Sequence, residues 1–235
     1  MASYDVRDIR NRHIKEIISA VRFSDHITRR EVAEVCGLSF PTVSNLCNEL
    51  IAAGVLSETD IPVSRVGRTP KGLVLNYDRF YSICVDLQFK GNLGFAIFDL
   101  RNNVVFERCY DISDKKSLAE IIAFVDVLFN EQKNALDIPV ERFCGLGISV
   151  SAIYDTFDNK LVNSAIGMFE NEKVKLITSQ YFDFPVYIDN ESNLCSLSVS
   201  QAGRGLKNVV YLHISEGVGV GIMVKGQLLR GKNGH

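Results

Sequence analysis

Three clusters of side chains in this 235-residue sequence are placed to do chemistry. Asn190 and Glu191 set an amide beside a carboxylate at the end of the apolar run Pro185-Val186-Tyr187-Ile188-Asp189. Such a pair, donor next to acceptor, suits the vicinal hydroxyls of a sugar, and a strand end is the mouth of the crevice where α/β domains hold ligands. Alternatively, the two residues cap the helix that follows. Gly217, Gly219 and Gly221 alternate in Gly217-Val218-Gly219-Val220-Gly221. Backbone stripped of side chains can cradle a phosphate, and the same glycines can equally make a tight β-turn. The third cluster is Thr42, Ser44, Asn45 and Asn48, small hydrogen-bonding residues on one face of a short helix begun by Ser39 and Pro41. A polar face of that kind suits base edges in the major groove. Arg65, Arg68 and Lys71 follow among Gly67, Pro70 and Gly72, with no acid from Ile61 to Asn76. This is a basic hairpin tip suited to phosphates or the minor groove.

The elements that must position the third cluster can be read locally. Thr28-Arg29-Arg30-Glu31 is a capping box, and Gly37 supplies the left-handed turn that ends the helix it begins. Ser39 caps the next helix, with Pro41 in its first turn. Val43, Leu46, Cys47 and Leu50 fall on one face of that helix, which turns Thr42, Ser44, Asn45 and Asn48 outward. Gly54 ends it before an extended run. Ahead of the pair, Ile9, Ile14, Ile17, Ile18 and Val21 make an amphipathic helix. Its Arg7, Arg10, Arg12 and Lys15 are either a solvated face or phosphate contacts. The pattern predicts a winged helix-turn-helix over residues 1–76; a purely structural helical pair is the other reading.

From about Tyr81 the texture changes. Strands are predicted at Ser82–Leu87, Leu93–Asp99 and Val104–Tyr110, with Asn102-Asn103 as a two-residue hairpin loop. A helix follows through Leu118, Ile121, Ile122, Val125, Leu128 and Phe129, then a strand at Gly145–Ser151. A helix over Val174–Phe182, a strand at Pro185–Asp189, a helix over Ser192–Ala202 and strands at Val209–Ile214 and Gly219–Val224 complete an α/β layered domain, 81–235.

Composition narrows the class. Net charge is −2, so nucleic-acid binding has to come from a local patch. Residues 1–76 hold 10 Lys and Arg against 9 Asp and Glu, a balance of +1. No apolar run reaches the roughly 18 residues of a membrane span, and the acidic, polar start is unlike a secretory signal. The six cysteines are scattered without a C-x-x-C pair among mostly apolar neighbours, which predicts reduced core residues of a cytoplasmic protein rather than a zinc site.

On these motifs the whole sequence resembles the ROK family of sugar-responsive repressors and sugar kinases, built on the actin-like ATPase fold. The Ser39-x-x-Thr42-Val43-Ser44 helix and Gly67-Arg68-Thr69-Pro70 look like its repressor branch, of the xylose-repressor type. Pro185 to Asn193 and the Gly217 to Gly221 loop look like its sugar domain. The resemblance implies an α/β architecture: an N-terminal winged helix-turn-helix followed by an incomplete actin-like ATPase (ROK) domain. It makes Asn190, Glu191 and Asn233 sugar contacts, with His235 bordering the same crevice, and makes Asp86, Gly217, Gly219 and Gly221 vestigial phosphate loops.

The resemblance also argues against phosphoryl transfer. Family kinases follow the first-loop Asp with Gly-Gly-Thr-Lys; here Asp86 precedes Leu87-Gln88-Phe89-Lys90. They carry Asp where Glu191 stands, and moving a carboxylate by about 1 Å costs on the order of a hundredfold. A Pro-Gly pair is replaced by Ser151-Ala152, and the Asn and Trp of a sugar-side segment are missing from Ala165-Ile166-Gly167-Met168. The family's Gly-Glu-x-Gly-His segment and its Cys-rich zinc cluster are absent from this chain, so no cofactor is expected. The expectation is therefore a chain truncated within the sugar-binding domain, as a fragment or as a natural truncation. Its role would be a non-enzymatic, sugar-responsive repressor, with operator DNA, a small sugar effector (xylose or a related sugar) and a second copy of itself as partners. The alternatives are a sugar kinase with an appended DNA-binding domain and a nonfunctional truncated copy.

Overall fold

The computed structural model describes residues 6–24, 26–60, 71–87, 91–202, 206–214 and 217–231, and of Val6, Arg7 and Ala202 only the backbone. The chain divides into two units, Met1–Tyr81 with Asp99–Asn103, and Ser82–Phe98 with Val104–His235.

In the first unit α1 (Val6–Arg22), α2 (Arg29–Cys36) and α3 (Phe40–Ala52) precede an antiparallel hairpin of β1 (Leu56–Asp60) and β2 (Lys71–Leu75). The local signals hold. Thr28 and Glu31 exchange both bonds of the capping box, Gly37 ends α2 at φ 64°, and Ser39 caps α3 with Pro41 in the first turn. Ile17, Val21, Val32, Val43, Leu46, Cys47, Leu50, Leu56 and Leu73 bury one continuous apolar core. Ile27 adds a bridge to Leu73, tying the α1–α2 connection to the hairpin. On α1, Arg10 pairs with Glu49 of α3 and Arg12 with Glu16, so these two cations sit in ion pairs.

The second unit holds β3 (Tyr81–Leu87), β4 (Asn92–Asp99), β5 (Val104–Asp111), β6 (Phe143–Val150) and β9 (Val186–Asn190) in one sheet, ordered β5-β4-β3-β6-β9. β4 and β5 are antiparallel; β6 and β9 are parallel. Helix α4 (Leu118–Ala135) lays its apolar stripe on one face, where Phe124 meets Tyr110 and Phe129 meets Phe143 edge to face. A second sheet, β10 (Val209–Ile214), β11 (Val218–Val224) and β12 (Gln227–Leu228), packs against α6 (Glu191–Ala202).

Several expectations need correction. Between β6 and β9 lies a small hairpin, β7 (Ile153–Asp155) with β8 (Lys160–Val162), that periodicity missed. The helix expected over Val174–Phe182 is the single turn α5 (Val174–Thr178), and Phe182 is buried beyond its end. The β4–β5 loop spans residues 100–103 rather than two residues: the Asp99 carboxylate accepts from the backbone N–H groups of Arg101 and Asn103, and Asn102 takes φ 65°. The cysteines are not a core set, since Cys84, Cys109 and Cys144 are exposed while Cys47 alone is fully buried.

Candidate functional site

The strand-to-helix junction between β9 and α6 positions the amide–carboxylate pair. Parallel pairing brings Val150 of β6 beside Asn190 of β9, so two strand ends lie together, the place where α/β sheets hold ligands. Asn190 turns its side chain inward. Its amide nitrogen donates to the Ala152 carbonyl at 3.1 Å, and its amide oxygen accepts from the Ser192 backbone N–H at 2.9 Å, capping α6. The capping alternative is thus realised at Asn190. Asp189, 8% exposed, accepts from Asn193 Nδ2 at 2.9 Å and pairs with Arg230.

Glu191, the first residue of α6, lies at the same junction. It is 8% exposed, and its Oε2 is buried with no hydrogen-bond partner among the described residues. An unsatisfied buried carboxylate oxygen is costly, which makes it a place for a ligand hydroxyl. Burial raises the Glu191 pKa above the ordinary carboxylate range; the His213 charge opposes the rise and Asp86 adds to it. Asp86 of β3 and His213 of β10 are thus the charged side chains whose fields reach Glu191. His213 was missed by sequence reasoning. The available signal was alternation along β10: Val209, Tyr211 and His213 face α6 while Val210, Leu212 and Ile214 stay exposed. Among the described residues no group of three or more His, Cys, Asp or Glu is arranged to hold a metal ion.

The glycine segment has a packing role that neither reading of the sequence named. A Cβ on Gly219 would collide with Ser192 Oγ, and one on Gly221 would lie 2.7 Å from the Ser192 carbonyl carbon and 2.8 Å from Ser196 Cβ. These glycines let α6 approach β11 backbone to backbone. Gly217 meets nothing within 4 Å. Asn233 and His235, and residues 88–90 after Asp86, lie outside the described residues.

In the first unit, Pro41, Asn45 and Asn48 are exposed along α3, joined by Phe40 at 53% exposure, another residue the sequence reading passed over. Thr42 is half-buried, its hydroxyl 2.8 Å from Ser39 Oγ in the cap. Ser44 does not point outward: its Oγ and its carbonyl oxygen accept from Arg29 Nη1 at 3.0 and 3.2 Å. Lys71 lies at the start of β2 with Nζ 3.7 Å from Glu58 Oε2. Arg65 and Arg68 lie outside the described residues.

Residues 90–235, more than half of the chain, match the ROK family. The chain belongs to the ROK family. A xylose repressor from Caldicellulosiruptor bescii is 30% identical over 88% of this chain and 52% of its own length. A xylose repressor from Bacillus subtilis is 26% identical over 94% and 56%, and the DNA-binding transcriptional repressor Mlc of Escherichia coli is 24% identical over 86% and 50%. The chain spans about half the length of the curated relatives it matches. A solved ROK family transcriptional regulator, described as a homologue of E. coli Mlc, superposes with TM-score 0.78 over 96% of this chain and 57% of its own at 19% identity. The ROK hexokinase of Thermus thermophilus superposes with TM-score 0.57 over 66% of this chain and 50% of its own at 18% identity. At these identities the two superpositions speak for the fold. No helix among the described residues is long and apolar enough to cross a membrane.

Proposed function

We propose that this chain is the DNA-reading and sugar-sensing part of a ROK transcriptional repressor, cytoplasmic and non-enzymatic, acting as a homodimer on a palindromic operator. The observation that carries this reading is a doubly capped α2–α3 pair whose exposed Pro41, Asn45 and Asn48 lie on one helix of the unit that also bears the Lys71 hairpin. That combination suits a winged helix-turn-helix, with α3 in the major groove and the hairpin, including Arg65 and Arg68, on the backbone or in the minor groove. The effector would be xylose or a related sugar, held through Glu191 in the crevice of an actin-like domain, with no cofactor needed. Differential affinity of the sugar for two arrangements of the protein would then shift operator occupancy. The relatives named as xylose repressors and the packing role of Gly219 and Gly221 support this over nucleotide chemistry.

A footprint of the DNA upstream of the chain's own coding region, titrated with D-xylose, tests it. Protection of a palindrome that weakens with the sugar is expected; no protected sequence at moderate salt overturns it. One observation favours a kinase instead: the raised Glu191 carboxyl is the kind of group that deprotonates a sugar hydroxyl. ATP-dependent xylose phosphorylation abolished by Glu191→Gln would establish that reading.

A further inference from the structure

Arg29 opens α2 as an apparently ordinary surface cation, yet its guanidinium bridges three elements. Nε donates to Glu58 Oε1 on β1 at 3.0 Å, with Nη2 in an ion pair 2.8 Å from the same oxygen, while Nη1 donates to the Ser44 hydroxyl and carbonyl oxygen on α3. The Arg29 and Glu58 side chains are 19% and 26% exposed. The carboxylate's other oxygen faces Lys71 on β2 at 3.7 Å. Three hydrogen bonds and an ion-pair contact from one planar fork cannot be reproduced by a lysine ammonium, which acts as a flexible point charge. The fork therefore fixes the first strand of the hairpin against the middle of α3, the two elements whose relative placement decides whether helix and hairpin can engage one duplex together.

We infer that Arg29 is a positioning residue for DNA reading, locking hairpin to helix through Glu58 and Ser44, and that Ser44 serves this lock rather than reading a base. The inference rests on the DNA-binding reading given above. Base readout then falls to Asn45 and Asn48, with Glu58 masking part of the Lys71 charge.

The test uses the full chain and a duplex selected by the wild-type protein from a randomised pool, with an unselected duplex as reference. Arg29→Lys keeps the charge and breaks the fork. It is expected to weaken the selected duplex about tenfold, the loss expected of a charged hydrogen-bond pair, while leaving the unselected duplex and the salt slope unchanged. Glu58→Gln breaks the lock from the other side while removing an acid near DNA. It is expected to tighten the unselected duplex and yet lower the selected-to-unselected ratio. Ser44→Ala should leave the preferred sequence unaltered, whereas Asn45→Ala and Asn48→Ala each relax one or two base pairs. Thermal unfolding of each variant, matched to wild type, separates positioning from loss of fold. Equal changes on both duplexes for Arg29→Lys and Glu58→Gln, or a salt slope reduced by about one for Arg29→Met, would make Arg29 a phosphate contact and overturn the inference. So would a base preference lost in Ser44→Ala. If the wild-type chain selects no sequence at all, the DNA-binding reading itself fails, a result distinguishable from every one of these.

Discussion

Replacing Gly221 by alanine isolates the contact that joins α6 to its sheet. The added methyl would lie 2.7 Å from the Ser192 carbonyl carbon and 2.8 Å from Ser196 Cβ, inside the 3.0 Å that real Cβ atoms respect, and nearer still to the Ser192 carbonyl oxygen. Two of those atoms are backbone in the first turn of α6, so no rotamer change relieves them. The helix has to move off β11. Overpacking of this kind costs about 1–3 kcal/mol, and an immovable carbonyl places Gly221→Ala at the upper end, about 3 kcal/mol. At about 2–4 °C per kcal/mol for a chain of this size, the midpoint should fall by roughly 6–12 °C.

Gly219→Ala makes the matched comparison. Its closest obstacle is the Ser192 hydroxyl, with Ser192 Cβ at 3.3 Å behind it. Ser192→Ala should therefore rescue Gly219→Ala and do nothing for Gly221→Ala. Alone it should cost little, because Ser192 Oγ is buried with no hydrogen-bond partner of good geometry among the described residues. Gly217→Ala, with nothing within 4 Å, is the neutral control. Urea and thermal unfolding followed by circular dichroism read the wild type, the four single variants and the two double variants that carry Ser192→Ala. If Gly221→Ala unfolds with wild-type midpoints, or if all three alanines leave stability alone while abolishing nucleotide binding, the close approach is wrong and a phosphate cradle is right.

Two further outcomes follow from burial. Because burial raises the Glu191 pKa, the folded state holds that proton at pH values where the unfolded chain has released it. Ionisation therefore costs stability above the ordinary glutamate range, and the cost is relieved as pH falls through the raised value. Glu191→Gln should raise the urea midpoint at pH 7.5 and lose that advantage towards pH 4.5, while abolishing sugar binding; an advantage that is constant with pH, or absent, would contradict the desolvated carboxyl. Cys109 should react with a thiol reagent in the native protein, Cys84 and Cys144, exposed but with thiols pushed up by desolvation, more slowly, and fully buried Cys47 only on unfolding. A native Cys47 that reacts as fast as Cys109 would refute the packing of α3.

What the sequence revealed depends on how far each bond reaches. The Thr28–Glu31 box, the Gly37 turn and the Ser39 cap join residues within five positions, so their chemistry is written in adjacent letters. Arg29 finds Glu58 across 29 positions and Ser44 across 15, and nothing local distinguishes it from Arg30, which is solvent-facing and pairs with Glu34. The exposed cysteines were legible in principle. Ser82, Cys84 and Asp86 alternate with buried Ile83, Val85 and Leu87 along β3, a period of two that says one face is open. The small β7–β8 hairpin was legible too: Asp155 Oδ1 accepts from the N–H groups of Phe157 and Asp158, an Asx-type turn in a segment crowded with Asp and Asn.

The Asn190–Glu191 pair shows why adjacency in sequence does not mean shared duty. At a junction where a strand runs directly into a helix, the last strand residue becomes the N-cap and the next becomes the first helical residue. The cap's side chain folds back on the helix, as Asn190 does on the Ser192 N–H, and its remaining donor is drawn to Ala152, beside the end of β6. The following residue is carried round to where the charges of His213 on the second sheet and of Asp86 on the sheet of β9 itself both act on it. A capping amide and a buried carboxylate with one unpartnered oxygen among the described residues are thus the two outputs of one turn. Substituting Asn190 should therefore act on α6 and, through it, on the position of Glu191. In the proposed sugar-binding reading, direct recognition then rests on the carboxylate rather than on the amide.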